Sequence, residues 1–163
     1  MAIDHFLDLS AGQIDGESSD QKFTNKIEVE SWSVAVSNPP DITSAKSGAG
    51  TGRVSCGGLH FTAKQSAATT HLFERCCIGK HIPTAILTCR KAGGTQEPFH
   101  VITMEEVYVG NHQLSGSAGS ENNIDSFTLY YGSIKHEYSK QGTDGTTTSA
   151  GAKKWDLRQN KAS

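Results

Sequence analysis

Seven histidines (His5, His60, His71, His81, His100, His112 and His136) and four cysteines (Cys56, Cys76, Cys77 and Cys89) are the residues best able to hold a metal. Zinc sites commonly take two ligands from one element at short spacing, and here no H-x-H, H-E-x-x-H or C-x-x-C occurs. Cys76 and Cys77 are sequence neighbours, so on a helix they point about 100° apart and grip one ion poorly. The expectation is four buried or half-buried thiols, histidines at the surface or satisfied in the interior, and no metal or cofactor. Glu105 and Glu106 would face opposite ways on a strand and cannot serve one substrate as acid and base. Gly48-x-Gly50-x-Gly52 lacks dinucleotide-loop spacing and follows no βα unit, and no P-loop lysine follows it. A G-x-S-x-G serine elbow is also absent. The sequence therefore argues against an enzyme.

The elements carrying these residues are mostly strands. In Lys26 to Val36, Ile27 and Val29 share one face while Trp32, Val34 and Val36 share the other. The phase flips near Ser31, which predicts a bulge or a change of partner. Arg53 to Thr62 reads as a second strand, irregular at Gly57-Gly58. Ala85 to Lys91 and Phe99 to Val109 read as a hairpin around Ala92-Gly93-Gly94. Ile124 to Tyr138 reads as one long strand, with Phe127, Leu129 and Tyr131 on one side and Ile124, Tyr130 and Ile134 on the other. From Thr69 to Ile78 the period changes. Leu72, Phe73, Cys76 and Cys77 make a helical face, with Thr69 or Thr70 as cap and Gly79 as stop. Ser37 to Gly52, Gly110 to Glu121 and Gln141 to Lys153 read as loops, the first being long for a compact domain. The fold class expected is mainly β: a compact barrel with one flanking short helix and a long extended loop, in a single domain over 1–163.

Composition limits the partners. Of 163 residues, 35% are hydrophobic and 17 are glycine. A chain of this length can bury about 70% of its unfolded surface without disulfides or metal. The net charge of −2 and scattered cations offer nothing to a phosphate backbone, so no nucleic acid is expected. Asp4 and Asp8 fall where a signal peptide would be apolar, and no run is long enough to span a membrane. The expectation is a protein folded in the cytoplasm, without membrane insertion, that needs a dedicated machine to leave the cell.

Several segments together resemble a known family. Ala2 to Leu9, Gly16-Glu17-Ser18, Ile27-Glu28-Val29 and Ser31-Trp32-Ser33 closely resemble the start of Hcp, the haemolysin-coregulated tube protein of type VI secretion. Leu59-His60-Phe61-Thr62, Cys76, Gly79-Lys80-His81, Ala85 to Arg90 and Arg90-Lys91-Ala92-Gly93-Gly94 continue the resemblance in order. Val101 to Val109, Tyr130-Tyr131 and Trp155-Asp156 complete it. The departures are Gly57-Gly58 in place of polar residues, Thr69-Thr70 where relatives often carry proline, and two extra residues near Ser10-Ala11.

The resemblance implies a β-barrel subunit of homo-hexameric rings that stack into a hollow, secreted tube. It also implies spike and sheath components as partners, and small effector proteins carried in the bore. Ser31 and Ser33 flank Trp32 and point away from it. Because this strand lines the bore in relatives, both are candidate effector contacts. Asp41, Ile42, Thr43, Ser44, Lys46, Gly48, Gly50 and Thr51 are the candidate ring-stacking loop. Trp32, Phe61, Leu72, Phe73, Leu129 and Tyr131 are assigned to the core. The competing reading is a monomeric β-barrel module that binds a small ligand or a carbohydrate, which oligomeric state separates from the tube.

Overall fold

The computed structural model describes residues 2–40, 42–43 and 52–163. In chain order the elements are β1 (Ile3–Asp8), β2 (Ile27–Ser33), β3 (Val36–Ser37), β4 (Ser55–Cys56), β5 (Leu59–Lys64), α1 (Ala68–Ile78), β6 (Ile82–Lys91), β7 (Pro98–Ser115), β8 (Ile124–Tyr130), β9 (Ser133–Gln141), β10 (Thr147–Asp156) and β11 (Lys161–Ala162). Six of the strands close a barrel, each antiparallel to the next, in the order β1, β2, β5, β8, β7, β6 and back to β1. Closure removes the exposed edges that six short strands would otherwise carry. No helix among the described residues is long and apolar enough to cross a membrane.

Alternation puts the apolar set inside. Leu7, Leu59, Phe61, Leu87, Ile102, Met104, Phe127 and Leu129 are each at most 2% exposed and line the barrel interior. The Phe61 and Phe127 rings stack across β5 and β8 with centroids 5.2 Å apart. Truncating either ring to alanine costs about 3–5 kcal/mol. The expected irregularity in β2 is a register shift between Val29 and Ser31, which lets Val29 and Trp32 both turn toward the core despite their odd spacing.

Strand β7 has 18 residues and belongs to both walls of the barrel. Its first half pairs with β6 and β9 and its second half with β8. Between them Glu106 adopts φ 53°, and the pairing shifts register between Val109 and Asn111. A left-handed residue costs strain outside glycine, and here it bends the strand from one wall into the other.

Four sequence expectations need correction. The segment 124–138 is two strands, since the chain turns at Tyr131-Gly132 and the Gly132 amide donates to the carbonyl of Glu105 on β7 at 2.9 Å. Residues 141–153 are not wholly a loop, because β10 begins at Thr147 and pairs with β9 along its length. Likewise β7 continues to Ser115, so the loop predicted from Gly110 starts later. The helix is confirmed, and Gly79 closes it at φ 67° with its amide bonded to Arg75 O. Its N-cap, however, is Ala67 and makes no side-chain cap. The Thr69 hydroxyl instead accepts the Ser66 amide at 3.1 Å.

Candidate functional site

Residues directly opposed in neighbouring strands share a face, so the register of β2, β5, β8 and the end of β7 defines an outer surface. Ser31 lies opposite Thr62, and Ser33 opposite His60. Across the next ladder His60 faces Thr128 and Thr62 faces Ser126, which in turn face Asn111 and Gln113. The result is a sheet face of hydroxyls, amides and one imidazole. Lys64 stands at its end, opposite Ile124. His60 Nδ1 and Thr128 Oγ1 are hydrogen-bonded at 2.7 Å. Chemically this face can exchange many weak hydrogen bonds with a passing protein surface and offers little charge to hold it.

Glycine is required beneath this face. A Cβ on Gly58 would lie 2.5 Å from Thr128 Cγ2 and 3.1 Å from the Tyr130 ring, and one on Gly110 would lie 2.2 Å from that ring. Gly58, which departs from the expected polar pattern, thus gives β8 room to close on the start of β5. The Tyr131 hydroxyl donates to the carbonyl of Gly57 at 2.8 Å, and burial pushes its phenol up to about 12.

Three polar clusters lie elsewhere. At the junction of α1 with β7 and β8, Asp125 is 2% exposed, accepts a short hydrogen bond from the Thr69 hydroxyl, and meets His112 Nε2 at 3.1 Å. The threonine bonds the carboxylate and not the imidazole. The cluster fastens the helix start to the barrel.

Arg90 on β6 is buried between Asp20, with which it makes a short ion pair, and Asp4 at 3.4 Å. Its guanidinium carbon sits 4.9 Å and 5.2 Å from the stacked Phe6 and Phe23 rings. Asp20 holds the guanidinium pKa above its ordinary value, and Arg90 holds the Asp20 carboxyl below its own. The segment before β2 is thereby pinned over the outside of β1 and β6.

At one end of the barrel, His5, Cys89 and His100 stand opposite one another across β1, β6 and β7, with Trp32 beside them. His100 Nε2 and His136 Nδ1 are 3.3 Å apart, and Trp32 Nε1 donates to His5 Nδ1 at 3.2 Å. Burial lowers the pKa of all three imidazoles and pushes the Cys89 thiol up to about 11. Among the described residues, no three His, Cys, Asp or Glu side chains converge on a point that could hold a metal ion.

The structure places Ser31 and Ser33 on the exposed polar face, with Trp32 half-buried between them. Sequence reading found these two but missed His60, Thr62, Gln113 and Ser126 beside them. Only the alternation of Leu59 to Lys64 hinted at that second row. Phe61, Leu72, Leu129 and Tyr131 are buried, and Trp32 packs against the core from its edge.

Phe73 corrects the core assignment, being 60% exposed. Ala68, Thr69 and Leu72 are the buried residues of α1, and one residue past Leu72 turns Phe73 about 100° away from the barrel. Cys77 is exposed too, not half-buried. Of the predicted loop, Ile42 is 79% exposed and Thr43 is described. Asp41, Ser44, Lys46, Gly48, Gly50 and Thr51 lie outside the described residues. The two strands flanking the loop, β3 and β4, pair at Val36–Cys56 and Ser37–Ser55 and clamp its base.

Comparison with known proteins points one way. Residues 6–138 match the family described as "Type VI secretion system effector, Hcp". The chain is 35% identical over 162 residues to Protein hcp1 of Pseudomonas aeruginosa, covering 98% of each. Among solved structures it resembles a type six secretion system protein with a TM-score of 0.93, at 27% identity, over 99% of this chain and 100% of that one. It also resembles Hcp1 from Salmonella typhimurium with a TM-score of 0.78, at 32% identity, over the whole of both chains.

Proposed function

The chain belongs to the Hcp family of type VI secretion proteins, and from that membership we propose that it is the ring-forming subunit of the secretion tube. Six copies close into a ring, rings stack into a hollow tube, and the tube travels out of the cell with small effector proteins in its bore. Its work is structural rather than catalytic. The ring assembles in the cytoplasm and meets the spike and sheath components there.

The observation that carries this reading is the likeness of the whole chain to Hcp proteins, and its surface leaves large apolar side chains in water on separate elements. Ile3, Phe73, Ile78, Tyr108, Tyr130 and Tyr138 are each 46–60% exposed and lie on α1, β1, β7, β8 and β9. Single exposed apolar residues are ordinary on a protein surface, and this set agrees with the assembly without requiring it. Its spread over several elements suits a subunit touched by ring neighbours as well as by rings above and below. Strand β10 adds an open edge among the described residues: beyond Trp155 and Asp156, which pair with β11, its strand partner is β9.

Within this reading the polar face around Ser31 and Ser33 lines the bore. A surface of hydroxyls and amides holds cargo loosely enough to release it, which a charged or apolar wall would not. The loop containing Asp41 to Thr51, clamped at its base by β3 and β4, reaches the next ring.

Electron microscopy of the purified protein, with light scattering, tests the proposal. Uniform annuli of about six subunits are expected. A particle that stays monomeric at high concentration overturns the reading and favours a monomeric binding module. Deleting Ser44 to Gly50 is expected to leave rings and abolish stacking.

A further inference from the structure

Strands β1 and β2 pair only at Phe6–Glu28 and Leu7–Ile27. Beyond that pair they diverge, and a cleft of about 620 Å³ opens, lined by residues that include Ile3, Glu17, Glu28, Glu30 and Arg90. Glu17, Glu28 and Glu30 are exposed, and no ion pair among the described residues engages them. Ile3 is 47% exposed among these charges. Arg90, its side chain 2% exposed, contributes a buried Nε with no acceptor among the described residues.

The β9–β10 extension of the same sheet, outside the closed barrel, carries the complement. On the β9–β10 hairpin, Tyr138 faces Gly151, Lys140 faces Thr148 and Lys153 faces His136, so Tyr138, Lys140 and Lys153 project from one face. Tyr138 is 51% exposed, and neither lysine makes an ion pair among the described residues. The sheet runs β10, β9, β7, β6, β1, β2. Counted along the curved sheet, the two surfaces are five strand steps apart, each of about 4.8 Å. One chain cannot bring them together, but two copies side by side can.

We infer that the acidic cleft between β1 and β2 is the socket for the Tyr138–Lys140–Lys153 face of the next subunit in the ring. This inference rests on the tube reading and adds its lateral contact. The lysines meet Glu28, Glu30 and Glu17, and Tyr138 covers Ile3. The contact is head-to-tail, joining one surface to a different one, which is the kind of contact a closed ring repeats when its rotation closes. A second copy is the occupant because both halves occur once in every chain, on different parts of the surface, with opposite charge.

Charge exchange tests it. Glu28→Lys/Glu30→Lys and Lys140→Glu/Lys153→Glu are each expected to weaken the contact tenfold or more and to leave folded monomers, since like charges now meet. Mixed in equal amounts, each variant supplies the surface the other needs. Native mass spectrometry is then expected to show alternating rings of three plus three.

If either variant alone forms rings like the wild type, or if two folded variants stay monomeric when mixed, the socket is wrong while the tube reading stands. A monomeric wild type defeats the tube reading itself. Circular dichroism checks the fold. Should the lysine pair unfold the chain, Glu28→Gln/Glu30→Gln gives the answer: a ring dissociation constant about tenfold higher and less salt-sensitive supports the socket, and an unchanged one overturns it.

Discussion

Acidification should loosen the barrel end where His5, His100 and His136 meet. Burial lowers the pKa of each imidazole, so the unfolded chain takes up protons near pH 6.5 before the folded chain does. Stability must therefore fall as the pH drops through that region. His100 and His136 oppose protonation further. Their 3.3 Å contact needs one ring to accept, and each charged ring would repel the other. The groups facing them are Cys89, Trp32 and Tyr138, with Lys153 opposite His136, while Asp4 raises the pKa of His5 alone.

An imidazole that never protonates in the fold would cost about 1.3 kcal/mol between pH 7 and 5.5. For the His100–His136 pair that sets a ceiling of about 2.5 kcal/mol. Both rings retain some solvent contact, so roughly 1 kcal/mol is expected, or about 3 °C in Tm. The carboxylates with lowered pKa, Asp8 and Glu105 among them, lose their stabilising effect only below about pH 4.5 and do not contribute in this window. Thermal unfolding at one protein concentration, for the wild type and His100→Gln/His136→Gln, measures the effect. Equal pH slopes for the two proteins between pH 7 and 5.5 would refute the argument.

Two further outcomes follow from packing. Leu72→Ala is expected to cost about 2–5 kcal/mol and Phe73→Ala less than about 0.5 kcal/mol in denaturant melts of the unassembled subunit, because only Leu72 faces the barrel. Gly16→Ala places a Cβ 2.5 Å from the Lys26 carbonyl oxygen and 2.8 Å from the Ile27 Cα. Backbone must move there, and a loss of about 1–3 kcal/mol is expected in the same assay.

The barrel strands were legible because burial on one side writes an alternation into the sequence. The shifted phase of Ile27, Val29 and Trp32 even disclosed the β2 bulge. Strand β10 was not legible. Thr147 to Lys153 are all exposed, so no burial pattern separates them from a loop, and their strand character comes from pairing with β9. Phe73 misled for the reverse reason: a large aromatic on a helix signals burial, yet here it looks outward. Ser31 and Ser33 could be placed on an outer face from their spacing about Trp32. Their neighbours His60, Thr62, Gln113 and Ser126 come from strands far along the chain, and no single segment encodes the register that assembles them.

Strand β7 has a mechanical consequence. Its 18 residues reach roughly 60 Å if extended, and it takes part in both walls of the barrel. A push delivered to the first half of β7 therefore passes to its second half, and so from one wall to the other, along covalent bonds. The bend at Glu106 acts like the knee of a bracket, stiffening the barrel against shear between its two walls.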